Sequence, residues 1–286
     1  MKVFLEWSTK HLNQAEIDSP RMEAEILMAS ALQLSREGIH LNPERILSKG
    51  EKSILRDLIK RRVGREPISY IIGSKEFWSL NFKTTPDVLI PRPATETLVE
   101  TLLLLSDETS MGQSLKLLDM GTGSGVIAVI AAREIIDCQA TATDFSPEIL
   151  AVARTNAETH GVSNKIDFLQ CDMFAGIPKT FYDFIVSNPP YIKTADLKGL
   201  MTDVGDFEPQ CALDGGADGL DFYRRIVPGA LDYLKEGGDL ILEIGETQAK
   251  AVTHLFFIED KYEAIKVIKD DGGYDRVVSA RKRENG

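Results

Sequence analysis

Cysteine is scarce in this chain of 286 residues: Cys138, Cys171 and Cys211 are odd in number, far apart and outside metal-ligand spacing. They read as reduced thiols, so neither a disulfide framework nor a zinc site follows from them. Histidine is equally thin. His11, His40, His160 and His254 show no paired spacing, and no metal is assigned. Long apolar runs are also missing; stretches such as residues 102–105 are far too short to cross a bilayer, which excludes a membrane role. The opening residues, Met1-Lys2-Val3-Phe4-Leu5-Glu6-Trp7, lack the basic, long apolar and small-residue regions of a secretory leader, so a cytoplasmic protein is expected. What is present is globular in balance, 43% hydrophobic and 27% charged, over a length that suits two modest domains. No internal repeat or low-complexity stretch stands out.

Charge divides the chain. Residues 1–75 carry 13 Lys/Arg against 10 Asp/Glu, a balance of +3, whereas residues 76–286 carry 20 against 34, a balance of −14, which places a boundary near residue 75. Before it, apolar periodicity predicts helices over residues 1–17 and 24–34, the second introduced by Ser19-Pro20. A third is expected from Pro43, bearing Arg45, Lys49, Lys52, Arg56, Lys60, Arg61 and Arg62. That basic helix, within residues 44–65, is either a solvated face or a docking surface for an acidic partner. Residues 76–88 alternate aromatic and polar side chains and read as a β-hairpin linker.

The chemistry concentrates beyond residue 89. Leu115-Lys116-Leu117-Leu118-Asp119-Met120 reads as a buried strand, followed by Gly121-Thr122-Gly123-Ser124-Gly125 and an apolar helix start over residues 126–132. Glycines let backbone turn sharply and approach a ligand, with a helix amino-terminus behind them. A dinucleotide site is disfavoured: the third glycine comes one position early, Val126 takes its place, and Asp119 fits poorly beside a pyrophosphate. Asp119 is open to two roles, contact with a ligand through the loop backbone or water, and fixing of the turn. A second strand ends at Asp144, roughly 20 residues past the glycine loop, where an acid can bind both hydroxyls of a ribose. A third, residues 165–170, runs out at Cys171-Asp172-Met173. A fourth, residues 182–187, enters Asn188-Pro189-Pro190-Tyr191. Its two prolines cannot donate backbone hydrogen bonds and hold φ near −65°, so it leaves the sheet as a stiff loop rich in free carbonyls. The Asn188 side-chain oxygen and the Pro189 carbonyl can each accept one N–H of a planar NH2 group, with Tyr191 or another ring on its flat face. An ordinary turn is the bland reading of a lone Asn-Pro. Four strand ends converging on one edge of a parallel sheet make a ligand site instead. Further on, residues 220–234 and 247–258 read as helices, residues 238–244 as a strand, and residues 264–268 and 277–280 as a closing strand pair. The whole is an α/β, doubly wound seven-stranded sheet.

With these motifs in place the chain resembles S-adenosylmethionine-dependent methyltransferases acting on planar nitrogen, whose hallmark is (Asp/Asn/Ser)-Pro-Pro-(Tyr/Phe/Trp). It is similar more narrowly to the release factor glutamine methyltransferase (PrmC/HemK) family. That resemblance rests on Val88-Leu89-Ile90-Pro91-Arg92-Pro93-Ala94-Thr95-Glu96-Thr97-Leu98-Val99-Glu100, on Arg65-Glu66-Pro67-Ile68-Ser69-Tyr70-Ile71-Ile72-Gly73, on residues 208–220 from Glu208-Pro209 to Gly219-Leu220, and on Asp275-Arg276-Val277-Val278. Two positions depart from the family pattern: Ala94 stands where an acid is usual, and Met173 where Leu or Trp is common. The resemblance implies a Rossmann-like methyltransferase sheet with an antiparallel last strand over residues 89–286, a small helical substrate-recognition domain over residues 1–75, and S-adenosyl-L-methionine as methyl donor. It implies a peptide-chain release factor as protein substrate, methylated on the glutamine of its Gly-Gly-Gln motif. Site roles follow. Gly121, Thr122, Gly123, Ser124 and Gly125 would hold the methionine end, Asp144 the ribose, Asp172 and Met173 the adenine, and Asn188 both ligands; Asn188, Pro189, Pro190 and Tyr191 would hold the substrate amide. The competing class is an adenine-amine methyltransferase on DNA or RNA, since the same acceptors fit an exocyclic amine. The acidic balance of residues 76–286 opposes it, because a nucleic-acid enzyme needs a basic field. A degenerate binding module would have lost the glycines or the Asn188 loop, and both are intact.

Overall fold

The computed structural model describes residues 1–109 and 114–284. Its first compact unit, residues 1–74 with 201–207, is helical. α1 (Lys2–Gln14), α2 (Pro20–Leu32), α3 (Arg36–Leu41), α4 (Lys49–Val63) and α5 (Ile68–Ile72) bury Leu5, Leu12, Leu27, Met28, Leu55 and Ile59 together. The helix expected from Pro43 starts instead at Lys49. Ser48 Oγ accepts the Glu51 N–H at 3.2 Å and the Glu51 carboxylate accepts the Ser48 N–H at 2.7 Å, a reciprocal cap that satisfies two orphan donors where Pro43 offers none. Arg45 therefore lies off the helix, and the short α3 is an addition to the sequence reading. Arg62 is no solvated residue either. Its side chain is buried, with Nε on Glu23 Oε2 at 2.6 Å and Nη1 on Asp203 Oδ2 at 2.7 Å.

The second unit, residues 75–200 and 208–286, holds the sheet. It opens on a hairpin, β1 (Ser74–Phe77) and β2 (Leu80–Lys83), turned at Trp78 and Ser79, both at positive φ (54° and 57°), the pair of left-handed residues that a tight two-residue turn demands. Then come α6 (Glu96–Thr109), β3 (Leu115–Met120), α7 (Val126–Glu134), β4 (Cys138–Asp144), α8 (Pro147–Thr159), β5 (Ile166–Gln170) and β6 (Tyr182–Ser187). After α9 (Thr202–Gly205), which belongs to the first unit, follow α10 (Asp221–Ala230), β7 (Leu234–Glu243), α11 (Ala249–Glu259), β8 (Tyr262–Lys269) and β9 (Asp275–Lys282).

The seven strands run in the order β5-β4-β3-β6-β7-β9-β8, with β9 antiparallel to both its neighbours, as the resemblance implies. Helices cover both faces. Leu98 and Leu102 of α6 and Ile127 and Ile130 of α7 pack with Val186 and Ile241 on one, while Tyr223 and Ile226 of α10 and Phe256 of α11 pack with Ile185 and Leu242 on the other. Strand β7 starts four residues before the expected start at Gly238. Gly238 does not break it, because a Cβ there would sit 2.9 Å from the Asp183 carbonyl oxygen; the glycine permits a close strand approach beside an irregular register. Met120 pairs with Thr143 and with Ser187, so the carboxyl ends of β3, β4 and β6 lie level. Among the described residues, no helix is long and apolar enough to cross a membrane.

Candidate active site

Beyond Met120 the chain turns through the glycine loop into α7. Gly121, Gly123 and Gly125 have φ of 70°, 55° and 84°, a region in which a side chain is strained. Their surroundings separate them. A Cβ on Gly121 or Gly123 would meet nothing within 4 Å, whereas one on Gly125 would lie 3.1 Å from Ala153 Cβ. Gly121, Thr122, Gly123 and Ser124 line a cavity at the strand ends; Gly125 does not, and serves the packing of α7 against α8. Asp119 fixes the loop from within the fold. Its Oδ2 accepts the Thr122 hydroxyl at 2.6 Å and the Ala128 N–H at 3.1 Å, and Oδ1 is buried without a partner. Burial pushes this carboxyl up to about 7 against the pull of those two donors. Asn156 ties the loop to the hairpin, donating to the carbonyls of Ser124 (2.8 Å) and Lys83 (3.1 Å).

The cavity measures about 520 Å³, within the range of small-molecule sites. Asp144 lines it from the end of β4, its Oδ2 accepting the Gly123 N–H at 3.0 Å and its Oδ1 that of Phe145 at 2.9 Å. Burial raises its pKa while the backbone donors lower it. Asp172 and Met173 line the cavity beyond β5, and Asp172, largely exposed, pairs with Arg225 at 3.0 Å. Val88, Ile127 and Ile149 supply apolar wall. Arg92 and Arg225 are the basic side chains on the lining among the described residues, and each is taken by a carboxylate, Glu208 and Asp172. A pyrophosphate therefore meets no unpaired cation. Open glycine backbone, a buried carboxylate acceptor for hydroxyls and apolar walls fit the nucleoside and cationic sulfonium of S-adenosylmethionine.

Asn188, Pro189 and Pro190 line the same cavity from the end of β6. Tyr191 does not: its ring packs with the core under α10 and α11, and burial pushes its hydroxyl up to about 12. In this structure Tyr191 is half-buried behind the loop and is not on the cavity lining. Gly215 and Gly219 lie against it so closely that a Cβ would fall 2.7 Å from Tyr191 Cα and 2.4 Å from its carbonyl oxygen. Gln248 Nε2 donates to the carbonyls of Tyr191 and Gly219, both at 3.0 Å.

Residues quoted only as motif matches now acquire physical work. The buried Glu208 accepts the Ile90 N–H at 3.2 Å and the Arg92 guanidinium, which joins two distant motifs beside the cavity. Thr95 Oγ1 accepts Asn188 Nδ2–H at 3.2 Å. Ala94 neighbours this contact and takes no part in it. Sequence reasoning missed Thr95, Glu208 and a fully buried Glu243 on β7; their one signal was position within the family motifs or at a strand end.

Residues 4–73 match the family described as PrmC N-terminal domain, and residues 92–203 the family described as Methyltransferase small domain. A release factor glutamine methyltransferase from Geobacter sulfurreducens is 41% identical over 277 residues, 97% of this chain and 95% of that protein. One of the same name from Moorella thermoacetica is also 41% identical over 277 residues, covering 97% and 96% of the two chains. Among solved structures, a methyltransferase from Pyrococcus furiosus superposes with a TM-score of 0.52 at 20% identity over 79% of this chain and 98% of that one, a likeness of fold.

Proposed function

The chain belongs to the release factor glutamine methyltransferase family, and from that premise we propose that it methylates the side-chain amide nitrogen of the glutamine in the Gly-Gly-Gln motif of peptide-chain release factors. The observation that carries the reading is a single cavity shared by the Asn188-Pro189-Pro190 loop, the glycine loop and Asp144. S-adenosylmethionine, when bound, supplies a methyl group made electrophilic by the sulfonium. Asp144 accepts the ribose hydroxyls, the backbone of residues 121–124 borders the methionine end, and Asp172 and Met173 border the adenine. Asn188 Oδ1 and the Pro189 carbonyl accept the two N–H groups of the substrate amide. An amide nitrogen is a poor nucleophile, because its lone pair is delocalised into the carbonyl. Two acceptors that hold the NH2 group oppose that delocalisation as positive charge grows on nitrogen, and stabilisation confined to that moment raises the rate. Alignment and exclusion of water by the apolar walls do the rest. No strong base is required, since the methylated nitrogen loses its proton readily.

Residues 1–75 act in this reading as the substrate-recognition domain, residues 76–88 as a linker and residues 89–286 as the methyltransferase domain, whose last two residues lie outside the described part. Lys49, Arg56 and Lys60 are exposed and fall on one face of α4 at the helical spacing, a basic stripe suited to an acidic surface of the factor. Nucleic acid is not the substrate we favour, because the balance of −14 over residues 76–286 repels a phosphate backbone. We read the enzyme as cytoplasmic, where its protein substrate works.

The test is transfer of labelled methyl from S-adenosylmethionine to three acceptors side by side: a purified release factor, the same factor with Gln→Ala in its Gly-Gly-Gln motif, and adenine-containing DNA. Label on the intact factor alone supports the reading. Label on DNA would move the chain to adenine-amine chemistry.

A further inference from the structure

Glu243 ends β7. Ser187 pairs with Leu242 in the parallel register of β6 and β7, so Glu243 stands beside Asn188 one step further on. Alternation along a strand sends Asn188 and Glu243 to the face already occupied by Val186 and Ile241, the face that α6 and the Thr95 turn cover. The Glu243 side chain is wholly buried, and neither carboxylate oxygen has a partner of normal hydrogen-bond geometry. Leaving a buried carboxylate in that state is costly unless the site uses it. The Thr95 and Asn188 side chains act on it as donors, pulling its pKa down, without making a hydrogen bond of normal geometry.

An asparagine amide can be seated either way round. With Nδ2 turned to Thr95 Oγ1, Oδ1 is the end available to accept an N–H. The reversed amide would set its own NH2 against the NH2 of a substrate amide, a clash of donors. We propose that Glu243 is a positioning residue for Asn188: its carboxylate draws the Thr95 hydroxyl and the Nδ2 end of the amide inward, so that Oδ1 is the end presented to the substrate. The proposal rests on the functional reading only in taking a planar NH2 group as the species that Asn188 receives.

Protonation should therefore gate the device. Burial pushes Glu243 up to about 7, opposed by the weak donors and by Arg276 and Arg92. Those two guanidiniums are themselves paired with Asp270 and Glu208. The remaining titratable neighbours are Tyr191 and Tyr223, and the latter donates its hydroxyl to the Glu243 backbone carbonyl at 2.8 Å. Above pH 7 a carboxylate attracts the two donors; below it, a neutral acid carries its own proton to place and no longer dictates the seating of the amide.

The experiment uses the full-length protein and Glu243→Gln. The side-chain 15N–1H signals of Asn188, assigned by their loss in Asn188→Ala, should move with a midpoint near pH 7 in the wild type and stay flat in Glu243→Gln. At pH 8, Glu243→Gln should lower kcat by about tenfold, the loss of one hydrogen bond to a charged group, with the Kd of S-adenosylmethionine by calorimetry unchanged. The acid limb of the wild-type kcat profile should vanish in the variant. Its unfolding midpoint should match or exceed the wild type, since a buried charge has been removed, and this separates positioning from misfolding. Asn188 signals that ignore pH in the wild type, or an unaltered kcat profile in Glu243→Gln, would overturn the proposal. If the signals titrate as expected but no release factor is methylated, the functional reading fails and the positioning role stands.

Discussion

At the scale of single residues, Asn188 serves the substrate and Asp144 the cofactor in the proposed reading, two side chains that line one cavity. Asn188→Ala removes an acceptor whose value lies in the transition state, so kcat should fall by about 10²–10³ while cofactor affinity stays within a few fold, as steady-state kinetics with calorimetry will show. Asp144→Asn should do the reverse. The amide can keep the Gly123 N–H but turns its NH2 toward the Phe145 N–H, and it loses the charge that strengthens bonds from ribose hydroxyls; the Kd of S-adenosylmethionine should rise about tenfold or more with kcat at saturation little changed. The position of both on the cavity was legible in the sequence, because each closes a strand on the same sheet edge. Tyr191 was legible as a residue but its packing was not. That an aromatic ring after two prolines turns into the core and away from the cavity depends on Gly215, Gly219 and Gln248, which are distant in sequence.

At the scale of elements, strands announced themselves more clearly than the stops and starts of helices. The β-branched, apolar run of β6 identifies it directly, and the Leu-rich run that ends at the glycine loop identifies β3. The opening of α4 did not follow from Pro43, since two start signals compete and the reciprocal Ser48–Glu51 cap satisfies more backbone donors. Ser48→Ala should accordingly cost about 1 kcal/mol, read by chemical denaturation. The Asn188 loop is a built element in the same sense. Gly215→Ala forces a Cβ to within 2.8 Å of the Pro190 carbonyl oxygen, and relief of that overlap must shift the loop. It should depress kcat with cofactor binding intact, whereas Gly199→Ala, which meets nothing within 4 Å, should leave both unaltered.

At the scale of the whole molecule, two buried carboxyls bias stability against pH. Asp119 and Glu243 are both raised to about 7, from unfolded values near 4. The native state then holds more protons than the unfolded chain between those limits, so their contribution is complete below pH 4 and is lost as pH climbs through 7. Each can account for at most about 4 kcal/mol. In Asp119→Asn the stability relative to wild type should therefore improve steadily from pH 4 to 7 and level off above, as thermal or denaturant unfolding across that range will show. A constant difference would mean that Asp119 is charged throughout.

The succession of strands along the chain, the glycine loop, Asp144 and the Asn188 loop were determined by the sequence itself, because periodicity, proline and glycine act over a few residues and need no distant partner. The charge imbalance that divides the chain is equally local information. Tertiary structure alone decided that Gly125 packs α7 while Gly121 and Gly123 open on the cavity, that Arg62 is buried in an ion network, and that Thr95 and Glu243 converge behind Asn188. Burial and pairing are properties of neighbours brought together from far along the chain, and a carboxyl acquires its pKa only when the sheet has closed around it.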